Sequence, residues 1–269
     1  MEERTQQVLE MPKNFKDTES FASSMAEQLR IAGQLQRDFL PRQLPDSERL
    51  RWAVTFWPAE VVSGDIYDVA RLDERHIGFY VADVVGHGMP AALLTMFLKQ
   101  AMVLRETTGN SYRIFSPAEV LSNLNKKMFE QQLSGSRFVT CCYFLLNIDT
   151  LELKYARGGH PYPILIRKSG EPEQLKVQGP LVGVFENAEF EGKVIRLEAG
   201  DKLLVYSDGA EHLIGGYNEE YKFIFSEEFT LLKDNSLEQM NERLNILIRE
   251  EQIEPGEIDD ITTVGLEII

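Results

Sequence analysis

The chain is poor in the residues that staple or metallate small extracellular domains: of its 269 residues only two are cysteine and four are histidine. Cys141 and Cys142 are adjacent in an apolar run. Strand neighbours point to opposite faces, which disfavours a bridge between them, so both are read as core packing. No disulfide framework and no CxxC zinc pattern exists. Apolar runs never approach the ~20 residues that span a bilayer. The start, Met1-Glu2-Glu3-Arg4-Thr5, lacks the basic-then-apolar order of a signal peptide. A cytoplasmic protein with no membrane association is expected. Positive charge is scarce as well, with 28 basic against 43 acidic residues and a net charge of −15. Nucleic-acid binding needs basic patches facing phosphates, so that class is set aside. A G-x-S-x-G elbow, an HExxH helix, a Walker loop and a cysteine with catalytic partners are all missing.

What is present suffices for a core. The hydrophobic fraction is 43%, ordinary for a folded domain, and the length suits one large domain with a flanking element. Residues 1 to about 18 are polar and weakly patterned. From Thr18 to Leu40, Phe21, Met25, Ala32, Leu35 and Phe39 recur at helical spacing and predict an amphipathic helix, packed on its own domain or paired in a short coiled coil. Pro41 and Pro45 end it. Strands are expected at 52–57, 65–72, 76–82, 138–148, 151–156, 162–166, 193–197, 202–206 and 261–268. Helices are expected from Met89-Pro90, from the capping box Ser116-Pro117-Ala118-Glu119, and over 236–251. Strands and helices fall in blocks without alternating, which predicts an α+β layered fold with antiparallel sheets. Residues 1–44 read as a linker helix, regulatory or dimerising, and 45–269 as one domain.

Four acidic motifs sit at the ends of apolar runs beside glycine: Ser63-Gly64-Asp65-Ile66-Tyr67-Asp68, Ala82-Asp83-Val84-Val85-Gly86-His87-Gly88, Ser207-Asp208-Gly209-Ala210-Glu211 and Asp259-Asp260-Ile261-Thr262. Singly, each is an ordinary turn or cap. Together they carry carboxylates to sheet ends with no lysine or arginine in any motif, so the compensating charge must come from elsewhere. Hard divalent cations meet that need, because Mg²⁺ and Mn²⁺ prefer oxygen ligands. Two such ions sharing a carboxylate activate a water for in-line attack on phosphorus.

In that order the motifs, together with Gly158-Gly159-His160-Pro161, resemble the metal-dependent PPM (PP2C-like) phosphatases, and among them the bacterial branch typified by SpoIIE and RsbU. The resemblance runs from about Asp38 to Ile269. It implies an α-β-β-α sandwich of two antiparallel sheets flanked by helices, with the site at one end. It also implies two Mn²⁺ or Mg²⁺ ions held by Asp65, Asp83, Asp208 and Asp259, with Asp83 bridging, the Val84 carbonyl contributing and Asp260 in reserve. Asp65 and Asp83 then carry catalysis. The implied activity is hydrolysis of phosphoserine or phosphothreonine on a protein such as an anti-sigma-factor antagonist. An upstream sensor or receiver domain would act through the first helix, which could also form a homodimer. A non-catalytic partner-binding module and a small-molecule phosphate-ester hydrolase are the alternatives. Eukaryotic members place a histidine two positions after the second aspartate, where this chain has Val85; His87 is read as a capping or structural residue and His160 as a loop organiser.

Overall fold

The computed structural model describes residues 15–132, 138–168, 170–250 and 259–269. Most of the polar start therefore lies outside the described residues. In chain order the elements are α1 (Phe15–Asp38), β1 (Leu50–Trp57), β2 (Asp65–Arg71), β3 (His76–Val84), α2 (Gly88–Ala101), β4 (Arg105–Thr108), β5 (Ser111–Ile114) and α3 (Pro117–Glu130). There follow β6 (Val139–Asn147), β7 (Glu152–Gly158), β8 (Ile164–Ile166), β9 (Glu173–Gln174), β10 (Gly192–Arg196), β11 (Lys202–Tyr206) and a 3-10 turn at Asp208–Ala210. The chain continues with α4 (Glu211–Ile214), β12 (Gly215–Tyr217), β13 (Phe223–Phe225), α5 (Glu227–Leu231), α6 (Leu237–Glu250) and β14 (Ile261–Ile268).

Two five-stranded sheets, ordered β1-β14-β11-β8-β9 and β10-β7-β6-β3-β2, are joined throughout by antiparallel pairs. Alternation along each strand divides the side chains between two faces. Tyr67, Val69, Phe79, Val81, Cys142 and Phe144 of one sheet meet Trp52, Leu203, Val205, Val264 and Leu266 of the other. Phe79 ties the layers: it stacks on Phe144 at 4.7 Å and takes Trp52 edge-on at 4.9 Å. The opposite parity of the second sheet, including Ile66, Tyr80, Ala82, Cys141 and Tyr143, packs under Leu94 and Leu98 of α2 and Leu121 and Leu124 of α3. The outer face of the first sheet, with Ile164, Leu204, Tyr206 and Ile261, is covered by Met240 and Leu244 of α6. The result is the expected α-β-β-α sandwich, and the adjacent free cysteines point into different cores. Among the described residues no helix is long and apolar enough to cross a membrane.

One local feature matches the sequence reading and two depart from it. The Ser116–Glu119 capping box is formed in both directions and opens α3 as its sequence predicts. Helix α1 forms, but Phe21, Met25 and Leu35 of its apolar stripe are exposed, as is Phe39 just beyond its end. It docks instead through Gly33, where a Cβ would sit 2.2 Å from the Val61 carbonyl oxygen, and through buried Gln36. The hairpins β4–β5 and β12–β13 were not anticipated.

Candidate metal centre

Strand pairing brings the four acidic motifs to one end of the sandwich. The β2–β3 ladder reaches the register pair Asp65 and Asp83, so two carboxyl-bearing residues stand directly opposite each other. In the other sheet, β11 and β14 pair through Tyr206 and Thr263, which sets Asp208 beyond the end of one strand and Asp259 and Asp260 before the start of the next. Val84 N–H donates to the Gly64 carbonyl at 3.0 Å. Ser207 locks the other two motifs together: its N–H donates to Thr262 O at 2.9 Å, and its Oγ accepts from Thr262 N–H at 2.9 Å and donates to Asp260 O at 3.2 Å. Glycine is required at 209, because a Cβ there would lie 2.3 Å from the Asp260 carbonyl oxygen.

Asp260 sews the sheets to each other. Its Oδ1 accepts the Ala59 N–H at 2.8 Å and its Oδ2 accepts the Gly64 N–H at 2.6 Å. Both oxygens of this expected reserve ligand thus already hold the β1–β2 loop. A second brace comes from α1. Gln36 Nε2 donates to Ser63 O at 2.6 Å and to Thr95 Oγ1 of α2 at 3.0 Å, while Gln36 Oε1 accepts the Ser63 N–H at 2.9 Å. One buried amide therefore links α1, α2 and the residue two positions before Asp65. Sequence reasoning missed it, since a glutamine on the flank of an apolar stripe carries no motif.

The cleft at this end measures about 570 Å³ and is lined by Asp83, Val84, Asp208, Asp259 and Asp260, with Glu60, His87 and Thr140 around them. Among the described residues, no lysine or arginine lines it. Asp65 lies beneath, fully buried, with its Oδ2 lacking any hydrogen-bond partner. Burial first, and the facing Asp83 second, hold its carboxyl well above the usual carboxylate range. Burial pushes Asp83 up to about 7, reinforced by Asp208, Asp259 and Asp260. Asp208 is raised by burial and then by Asp259, and Asp260 by burial against the lowering effect of its two N–H donors. Mutual repulsion of this kind is the signature of carboxylates arranged for a cation. Among the described residues, no three His, Cys, Asp or Glu side chains close tightly enough to grip an ion as they stand. The donor set of oxygens alone, with one orphaned buried carboxylate oxygen, fits hard divalent cations.

His87 stands at the N-cap position of α2 but makes no side-chain cap hydrogen bond. Its Nδ1 lies 3.5 Å from Glu60 Oε1 at the cleft mouth. His160 behaves as a loop organiser: it is fully buried and its Nδ1 bonds Thr140 Oγ1 at 2.8 Å. Burial and the nearby Arg157 charge push its ring down to about 3, so it stays neutral.

A family model described as Stage II sporulation protein E (SpoIIE) matches residues 73–268. Phosphoserine phosphatase RsbU of Bacillus subtilis is 32% identical over 183 residues, covering 68% of this chain and 52% of RsbU. The chain spans about half the length of the curated relatives it matches. Among solved structures, the SiaA-PP2C domain of Pseudomonas aeruginosa superposes with a TM-score of 0.72 at 22% identity, over 91% of this chain and 98% of that one. RsbX, solved in complex with magnesium, gives a TM-score of 0.61 at 18% identity, over 84% of this chain and 99% of that one. At those identities the two structures support the sandwich fold alone.

Proposed function

This chain belongs to the SpoIIE family, and on that premise we propose that it is a metal-dependent protein phosphatase that hydrolyses phosphoserine or phosphothreonine on a bacterial signalling protein. The observation that carries the reading is the convergence of Asp65, Asp83, Asp208 and Asp259 at one end of both sheets, with no lysine or arginine among the described cleft-lining residues and Asp65 Oδ2 unpartnered.

Asp65, Asp83, Asp208 and Asp259 would hold two divalent cations, Mn²⁺ or Mg²⁺, with the Val84 carbonyl as a further donor. Such ions, when bound, supply Lewis acidity that lowers the pKa of water and offsets phosphoryl charge. The chain's own residues do the rest. Asp260 and Gln36 fix the Ser63–Asp65 backbone, so Asp260 anchors the loop from within the cleft lining and stays the reserve ligand. Four carboxylates without cations repel a phosphate dianion, which makes substrate entry conditional on metal. An anti-sigma-factor antagonist is the substrate class we favour, acted on in the cytoplasm. In this reading residues 45–269 form the catalytic domain. Residues 1–44 form a regulatory or dimerising linker from an upstream sensor or receiver domain; the Gln36 bonds to Ser63 and Thr95 supply a physical route. A non-catalytic binding module of the same fold would gain nothing from a buried, mutually repelling carboxylate cluster.

The test is phosphate release from a phosphoserine protein and from p-nitrophenyl phosphate, with and without Mn²⁺. Wild type should turn over only with metal. Asp83→Ala and Asp208→Ala should each lose on the order of 10³-fold in kcat. Metal-independent turnover, or variants as active as wild type, would overturn the reading.

A further inference from the structure

Cleavage of a serine or threonine phosphate ester expels an alkoxide, a poor leaving group that needs a proton as the P–O bond breaks. The four ligand carboxylates are committed to cations, and Asp260 to the backbone N–H groups of Ala59 and Gly64. Among the described residues that line the cleft, His87 supplies the one imidazole, a group that carries a proton on a ring nitrogen.

We propose that His87 is the general acid of this site and that Glu60 is its positioning residue; the proposal rests on the phosphatase reading above. Three observations carry it. His87 lines the same cleft as Asp83, Asp208 and Asp259. Its ring makes no cap hydrogen bond to α2 and is free to serve the cleft. Glu60 Oε1 faces its Nδ1 at 3.5 Å, which leaves Nε2 for the substrate. A carboxylate on one ring nitrogen fixes the orientation of the imidazole, and such contacts tighten once substrate is bound. The backbone supports the placement, for Gly86 and Gly88 on either side of His87 have φ of 95° and 70°. That left-handed pair turns the chain out of β3, presents His87 at the mouth, and then starts α2.

In the step itself the water oxygen forms a new bond to phosphorus as the bond from phosphorus to the serine or threonine Oγ breaks. The Oγ keeps the bonding pair and takes the proton from His87 Nε2. The water's proton leaves to solvent, and solvent reprotonates the imidazole. The sum is phosphate ester plus water giving alcohol plus inorganic phosphate.

Leaving-group dependence separates this role from a structural one. p-Nitrophenolate departs as a stable anion and needs little protonation, whereas serine alkoxide does not. With Mn²⁺ in the assay, His87→Ala and His87→Gln should lower kcat on a phosphoserine peptide by about 100-fold. The loss on p-nitrophenyl phosphate should be at least tenfold smaller. Glu60→Gln should shift the same ratio in the same direction by a smaller factor. Thermal unfolding of each variant should match wild type, since both side chains are largely exposed. Equal losses on the two substrates, or none on the peptide, would overturn the assignment. A wild type inactive on both would instead defeat the phosphatase reading, and the assignment with it.

Discussion

Strand β11 has an aspartate just outside each end, and the two have opposite surroundings. Asp201 precedes the strand and is 2% exposed. Its Oδ2 accepts Arg167 Nη1 at 2.6 Å and Glu198 N–H at 2.8 Å, and its Oδ1 accepts Lys168 N–H at 3.3 Å. Asp208 follows the strand and lies near Asp259 in a cleft whose described lining holds no lysine or arginine. An aspartate beside an apolar strand is therefore not a functional signal in itself. The difference lies in the partners: a guanidinium supplied by the chain at one end, and at the other a charge deficit for an ion from solution to fill.

The largest effects should divide along that line. Asp208→Ala removes activity, as set out above, while leaving the fold intact. Asp201→Ala should leave the folded protein active but cost about 2–3 kcal/mol of stability, because it strands Arg167 and two N–H donors. Urea unfolding and kcat measured on both variants check the pair. Loss of activity in folded Asp201→Ala would break the contrast.

A smaller effect follows from charge. Burial and its acidic neighbours push the Asp83 carboxyl from 3.8 up to about 7. Between those values the folded chain binds more protons than the unfolded one, so its metal-free stability falls as pH rises through the window and stays lower above about 7. Asp83→Asn should accordingly stabilise the metal-free protein at about pH 7.5 by on the order of 1–3 kcal/mol, and the gain should vanish below about pH 4. Thermal melts of both proteins across that range give the answer. A pH-independent difference would mean that the Asp83 charge is not what destabilises this end. Gln36→Leu should act least, weakening the Ser63 brace by about 1 kcal/mol. It should raise the Mn²⁺ concentration for half-maximal activity about threefold to tenfold with kcat nearly retained.

The same contrast marks how far the sequence can be read. Sheet strands were legible because alternation and apolar runs reflect burial directly, as in β3 and β6, and the capping box at Ser116 is a local signal. The four aspartate motifs were legible because each is contiguous. What escaped depends on contacts distant in sequence. Asp260 meets Gly64 across 196 positions, and Gln36 meets Ser63 across 27. Helix α1 shows the limit of periodicity: its apolar stripe predicted the helix, but the docking face was chosen by the close approach of Gly33 to Val61. The hairpin β4–β5 has a largely exposed burial pattern, so no alternation announces it; Arg105 over the Tyr112 ring at 4.7 Å helps to hold it.

The central claim is that the charge deficit beside Asp208 is a divalent-metal site. Calorimetric titration of Mn²⁺ into wild type, Asp208→Ala and Asp201→Ala tests it without reference to any substrate. Saturable binding to wild type and Asp201→Ala, weakened at least tenfold in Asp208→Ala, is the predicted result. No binding to wild type at millimolar Mn²⁺, or equal binding to all three, would contradict it.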